Sequence, residues 1–135
     1  MEQNKSLTKP IGPTDAPAFA TQEDGFAGMV KLAQLRRPPS AIFARNDFTA
    51  IGAMRAAYTL GMRIPDDVAI AGFDNIPLAA FTPPPLTTVA QSITEQGRAA
   101  ATFLLERITA TESRTSKEIS MECKLIVRAS TVAES

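Results

Sequence analysis

Two short apolar runs, each stopping on groups that prefer water, do most to limit how this chain can fold. They are "SAIFARND" at residues 40–47 and "VAIAGFDN" at residues 68–75. A run of four to six apolar residues bounded by turn formers suits a strand covered on both faces better than one with a wet side. Between the two runs, Ala50, Met54 and Ala57 recur on one helical face. Asn46 or Asp47 can cap the first amides, and Gly61 supplies a left-handed stop, so the spacing predicts a helix over residues 47–60. Strand, helix, strand in that order is a βαβ unit, and it requires parallel strands. The predicted class is therefore α/β.

The flanking segments extend this frame. Thr21 with Asp24 three residues on offers a capping pair ahead of Phe26, Met29, Val30 and Ala33, and Pro38-Pro39 ends that helix after Arg36 and Arg37. "DNIPLAAFTPPPLTTV" is too rich in proline for regular structure until Thr87-Thr88-Val89. Ile93, Gly97, Ala100, Leu104 and Ile108 predict an amphipathic helix over residues 92–109. Ile119, Met121, Cys123, Leu125 and Val127 alternate with polar residues as in a half-exposed edge strand. Residues 1–20 are polar, carry Pro10, Pro13 and Pro17, and read as a loose tail. Residues 132–135 read as a second.

Composition removes several kinds of chemistry. Histidine is absent and Cys123 is the single cysteine, so no intrachain disulfide, Cys/His zinc site or histidine-dependent acid–base pair can form, and neither metal nor cofactor is expected. Lys+Arg and Asp+Glu balance at 14 each, with the basic residues scattered, which is not the footprint of phosphate-backbone binding. No apolar segment resembles a secretion signal or approaches the ~20 residues of a membrane span, so a cytoplasmic setting is the expectation. No G-x-G-x-x-G follows a strand, and Asp47 with Asp74 lacks the partners a carboxylate pair needs for catalysis, so no enzyme is expected.

In a parallel sheet the strands end on one edge, and that carboxyl rim is where open α/β sheets bind ligands. Asn46 and Asp74 would then point hydrogen-bonding groups into one crevice, suited to a molecule carrying hydroxyls or ring nitrogens. Spacing alone leaves a second reading open for both, since strand-end Asn and Asp are common turn formers. For Asp47, directly before the helix, capping is the favoured role.

The stretch from "PSAIFARND" through "IPDDVAIAGFDN" and "PPLTTV" to a closing "VRAST" resembles the C-terminal part of the effector-binding domain of LacI/GalR-family transcription regulators, over about Thr21 to Thr131. The resemblance implies a parallel-sheet, three-layer lobe of a periplasmic-binding-protein-like fold, with residues 21–131 as a partial domain whose first lobe is missing. It implies a sugar or nucleoside-like effector contacted by Asn46 and Asp74, with Ile93 placed against the ligand or in the core. It also implies a homodimer meeting through Ile51, Met54, Arg55, Phe81 and Leu86, although apolar helix residues such as Ile51 and Met54 more often fill a core. DNA would be bound only through a domain absent from this chain, and a membrane not at all. A transporter's periplasmic sugar-binding protein is the alternative, and it would need a secretion signal. In the family the helix matching residues 92–109 packs in the first lobe. Leaving three or four of its large side chains bare forfeits about 1.5–3 kcal/mol each. The chain is therefore expected to associate through that helix or to be part of a longer product.

Overall fold

The computed structural model describes residues 21–110, 116 and 118–132, so the expected tail at 1–20 and most of that at 132–135 lie outside it. The chain runs α1 (Gln22–Ala33), β1 (Ala41–Phe43), α2 (Asp47–Thr59), β2 (Ala69–Asp74), a 3-10 turn (Pro77–Ala80), β3 (Thr87–Ala90), α3 (Ile93–Thr109) and β4 (Lys124–Ile126). The strands form one sheet in the order β1-β2-β3-β4. β1, β2 and β3 are parallel, with Phe43 opposite Ala71 and Asp74 opposite Ala90, while β4 returns antiparallel with Leu125 opposite Val89. The βαβ unit and its parallel pairing are as the apolar runs predict.

Helix boundaries follow local chemistry. At α1 the Asp24 amide donates to the Thr21 hydroxyl at 3.2 Å and the Thr21 amide donates back to the Asp24 carboxylate at 3.0 Å, the expected reciprocal cap. α2 closes with Gly61 at φ 73°. The Met62 amide donates to the Ala57 carbonyl at 2.9 Å and the Gly61 amide to that of Tyr58 at 3.0 Å, closing the last turn. The return to β2 is clamped by Arg63, whose guanidinium donates twice to Asp67 at 3.0 Å. That hydrogen bond first, and the Arg63 amide second, hold the Asp67 carboxyl below its ordinary range.

α1 and α2 pack close together, and glycine is what allows it. A Cβ on Gly25 would stand 1.9 Å from the Thr49 carbonyl oxygen, and one on Gly52 would stand 1.8 Å from that of Gln22. α2 in turn lies on the sheet, and Met29, Ala50, Ala53, Met54, Ala57, Val68, Ile70 and Leu86 make the core. At the start of the parallel strands a second device appears. Ser130, wholly buried, donates its hydroxyl to the Ile70 carbonyl at 2.6 Å and accepts the Thr87 amide at 2.8 Å, while its carbonyl takes the Ile70 amide at 3.0 Å. One serine thus bridges β2 and β3.

Three sequence-based expectations are corrected. β1 is not covered on both faces: Ile42 packs inward, but Phe43 is 65 % exposed. Of the alternating run 119–127, only Lys124–Ile126 pairs as strand, because β3 offers four residues to pair with. α1 stops at Ala33, before the arginines. Among the described residues, helices cover one face of the sheet. The opposite face presents Phe43 and Phe73, in edge-to-face contact at 6.4 Å, with Leu125. α3 buries none of its residues, and Ile93, Leu104, Leu105 and Ile108 stand 58–70 % exposed, so the exposed apolar stripe anticipated from the sequence is present.

Gly52→Ala should therefore lower stability by about 1–3 kcal/mol in urea unfolding, since backbone rather than a movable side chain blocks the new methyl. Gly97→Ala on α3, where a Cβ meets nothing within 4 Å, should instead raise helix content in circular dichroism. For Asp67 the lowered carboxyl makes the clamp's contribution complete above the ordinary carboxylate range and lost as pH falls through the lowered value. The stability difference between the parent and Asp67→Asn should accordingly vanish in strong acid.

Candidate functional site

Three successive parallel strands deliver polar residues to one edge. β1 leads into Ala44, whose amide donates to the Ala71 carbonyl at 2.8 Å, and Asn46 follows two residues later. Asp74 is the last residue of β2, and Gln91 comes directly after β3. Asn46, Asp74, Asn75 and Gln91 are all half-buried. Asn46 and Asp74, the two residues singled out for the carboxyl rim, thus lie at the ends of neighbouring parallel strands.

Asn46, not Asp47, is the N-cap of α2. Its backbone is extended and its Oδ1 accepts the Thr49 amide at 2.8 Å. Capping and rim position thus coincide in one residue, because a cap sits where the chain leaves the strand and turns into the helix.

Asp74 departs from ordinary geometry. Its φ is 113° and that of Asn75 is 54°, two successive non-glycine residues on the side of the map that L-residues avoid. Asparagine tolerates this, but for Asp74 the conformation costs about 1–3 kcal/mol and persists only where surroundings enforce it. The enforcement is visible. Gln91 Nε2 donates to Asp74 Oδ1 at 2.6 Å, and Gln96 Nε2 donates to Gln91 Oε1 at 3.3 Å. The Asn75 amide donates to the Thr88 hydroxyl at 3.2 Å, and Asn75 Oδ1 accepts from Arg128 Nη2 at 2.9 Å. Arg128 Nη1 is anchored in turn on the Leu86 carbonyl at 2.7 Å.

The role favoured for Asp47 is corrected. It occupies the first turn of α2 and is completely buried. Its Oδ1 accepts the Thr88 hydroxyl at 2.5 Å and its Oδ2 the Ile76 amide at 2.8 Å. A carboxylate out of water must find donors, and here both come from across the sheet rather than from its own helix. Gly72 makes the room: a Cβ there would lie 2.3 Å from Asp47 Oδ1. Sequence reasoning missed Thr88, Gln91 and Arg128 because their partners lie 17–53 residues away. The one local signal was Gly72 inside an otherwise apolar strand, since such a glycine marks a close approach.

The remaining predicted residues separate into two groups. Ile93 opens α3 and is 58 % exposed, so it is not core. Ile51 is half-buried, Phe81 is 81 % exposed, and the guanidinium of Arg55 lies over the Phe26 ring at 5.8 Å. Met54 and Leu86, expected beside them at a partner-facing surface, are instead 3 % and 0 % exposed within this chain's own core and have no surface to offer. A groove of about 250 Å³ between α1 and α2 is lined by Gln22, Glu23, Phe26, Ile51, Gly52 and Arg55, and shares no residue with the rim. Among the described residues no group of three metal-ligating side chains occurs, and no helix is long and apolar enough to cross a membrane.

Comparison with known proteins places this geometry. Residues 3–131 match the model of the periplasmic binding protein-like domain. The transcriptional repressor CytR of Escherichia coli K12 is 42 % identical over 113 residues, 84 % of this chain and 33 % of that protein. The repressor PurR of Pasteurella multocida is 40 % identical over 112 residues, again 33 % of its length. The chain thus spans about a third of these curated relatives. Among solved structures, a LacI family transcriptional regulator from Enterococcus faecalis with bound ribose superposes with TM-score 0.74 at 34 % identity, over 84 % of this chain and 41 % of that one. A LacI-type regulator from Bifidobacterium animalis gives 0.76 at 32 % identity, over 84 % and 40 %.

The φ of Asp74 yields a direct expectation. Both Asp74→Gly and Asp74→Ala delete the bond from Gln91, but only glycine relieves the backbone, so the glycine variant should be the more stable by about 1 kcal/mol in urea unfolding.

Proposed function

The chain belongs to the periplasmic-binding-protein-like domain family, and from that premise we propose that it is the effector-sensing part of a LacI-type transcriptional regulator, binding a sugar or nucleoside-like metabolite at the strand rim. The observation that carries this reading is the delivery of Asn46 and Asp74 to one edge by two adjacent parallel strands. In this reading the Asp74 carboxylate accepts ligand hydroxyls, Asn46 adds an amide, and Ile93 packs on the ligand's apolar side. A hydrogen bond to a charged group is worth about 1.5–3 kcal/mol, so a few of them suffice to select one metabolite. Solved neighbours bound to ribose, sucrose and glucose support the ligand class.

Binding at the rim acts on transcription only by favouring one conformation of the whole regulator over another, by as much as its affinities for the two differ. DNA is held by a domain outside this chain, whose own basic and acidic residues balance at 14 each. The regulator works in the cytoplasm as a homodimer, and of the residues named for its interface Ile51, Arg55 and Phe81 remain available. No catalytic step is assigned to the rim: the curated relatives named above are regulators.

Titration calorimetry with ribose, glucose, sucrose and common nucleosides, on the longest form of the gene product that can be purified, tests the site. Asn46→Ala and Asp74→Ala should each weaken the tightest binder about tenfold or more. Unchanged affinity in both variants would overturn the assignment. In sedimentation velocity, Phe81→Asp should shift the same protein toward monomer.

A further inference from the structure

The turn that carries Asp74 is held from below by a group that no ligand at the rim would touch. Asp47 is 0 % exposed, yet both of its oxygens are engaged at the turn. The Ile76 amide donates to Oδ2 at 2.8 Å. The Asn75 amide donates to the Thr88 hydroxyl at 3.2 Å, and that hydroxyl passes its own proton's bond to Oδ1 at 2.5 Å. The two consecutive amides that follow Asp74 therefore end on one carboxylate, one directly and one through a hydroxyl. These are the amides of the segment where the backbone enters positive φ, at 113° and then 54°. In sequence Asp47 is the residue after Asn46, within the first turn of the helix that Asn46 caps. The same buried group thus grips the chain beside both rim residues. Gly72 is part of the arrangement, because any side chain there would displace Oδ1.

We infer that Asp47, acting through Thr88 and the Ile76 amide, is the positioning residue of the rim: it sets where the Asp74 carboxylate stands relative to Asn46, and so sets ligand affinity without meeting the ligand. This rests on the reading of the rim as the effector site, and two readouts separate the claims. Thr88→Val removes the hydroxyl at nearly constant shape, Thr88→Ser restores it, and Asp47→Asn removes the charge. Amide hydrogen exchange followed by NMR reports the turn without any ligand. Thr88→Val and Asp47→Asn should speed exchange at Asn75 and Ile76 about tenfold or more while leaving the α2 amides protected, and Thr88→Ser should return it toward the parent. Calorimetry with the same sugars and nucleosides should show a parallel loss of affinity of about tenfold, again recovered in Thr88→Ser, whereas Ile70→Val, a core change away from the turn, leaves affinity unchanged. Should Asp47→Asn fail to fold, the Thr88 pair decides alone. Equal exchange in parent and Thr88→Val, or no recovery in Thr88→Ser, overturns the positioning role. Exchange that speeds up in Thr88→Val and is restored in Thr88→Ser, in a protein that binds none of the probes, overturns the effector reading while the hold on the turn stands.

Discussion

A carboxylate removed from water and satisfied by donors from two neighbouring segments organises this fold. Asp47 reaches from the start of α2 to a hydroxyl on β3 and to the chain just beyond β2, so helix and sheet are joined by directional bonds where apolar packing alone would let them slide. Such bonds strengthen where water is excluded, and an unsatisfied group costs more there for the same reason. The arrangement therefore tolerates few alternatives. Thr88 needs its hydroxyl, Gly72 needs its missing side chain, and the turn at Asp74 needs the amides that follow it. The rim owes its shape to this arrangement, with Gln91 and Arg128 bracing the turn from the side.

Much of the architecture is legible without coordinates, and the division follows the range of the physics involved. The capping pair of Thr21 and Asp24, the stop at Gly61 and the apolar face of Ala50, Met54 and Ala57 are properties of neighbours within four residues, and all appear as read. The parallel pairing follows from the βαβ order by chirality and connection length. What escaped reading depends on contacts formed only when distant segments meet. Asp47 looks like a cap because it precedes a helix, and nothing local distinguishes it from Asn46, which is the cap. Thr88 looks like one β-branched residue among several. Ser130 sits in a short polar segment with no pattern, yet it is wholly buried between two strands. The positive φ at Asp74 has no sequence signature, since glycine would be the residue to expect there.

The distribution of apolar surface divides the molecule in two. On one side α1 and α2 meet so closely that backbone touches backbone, and the core they share with β2 and β3 is fully enclosed. On the other side Phe43 and Leu125 lie open beside the half-buried Phe73, and α3, although Ile119 and Met121 lie against it, keeps four large side chains in water. Exposed faces of this extent mark surfaces made to be covered. The open sheet face and the bare helix belong to a chain that spans a third of its curated relatives. The rim lies between these regimes, built on the enclosed half and leading directly into the open one at Ile93.

The serine at the other end of the parallel strands bears on the order of events during biosynthesis. Its bonds to Ile70 and Thr87 close loops of 60 and 43 residues. Helices α1 and α2 can form as they leave the ribosome, but β2 and β3 cannot complete this junction until Ser130 has been made as well. Late closure of so long a loop is entropically slow, and meanwhile strand edges and aromatic rings are on offer to other chains. A crowded translating cell therefore places a premium on the speed with which the segment around Ser130 docks.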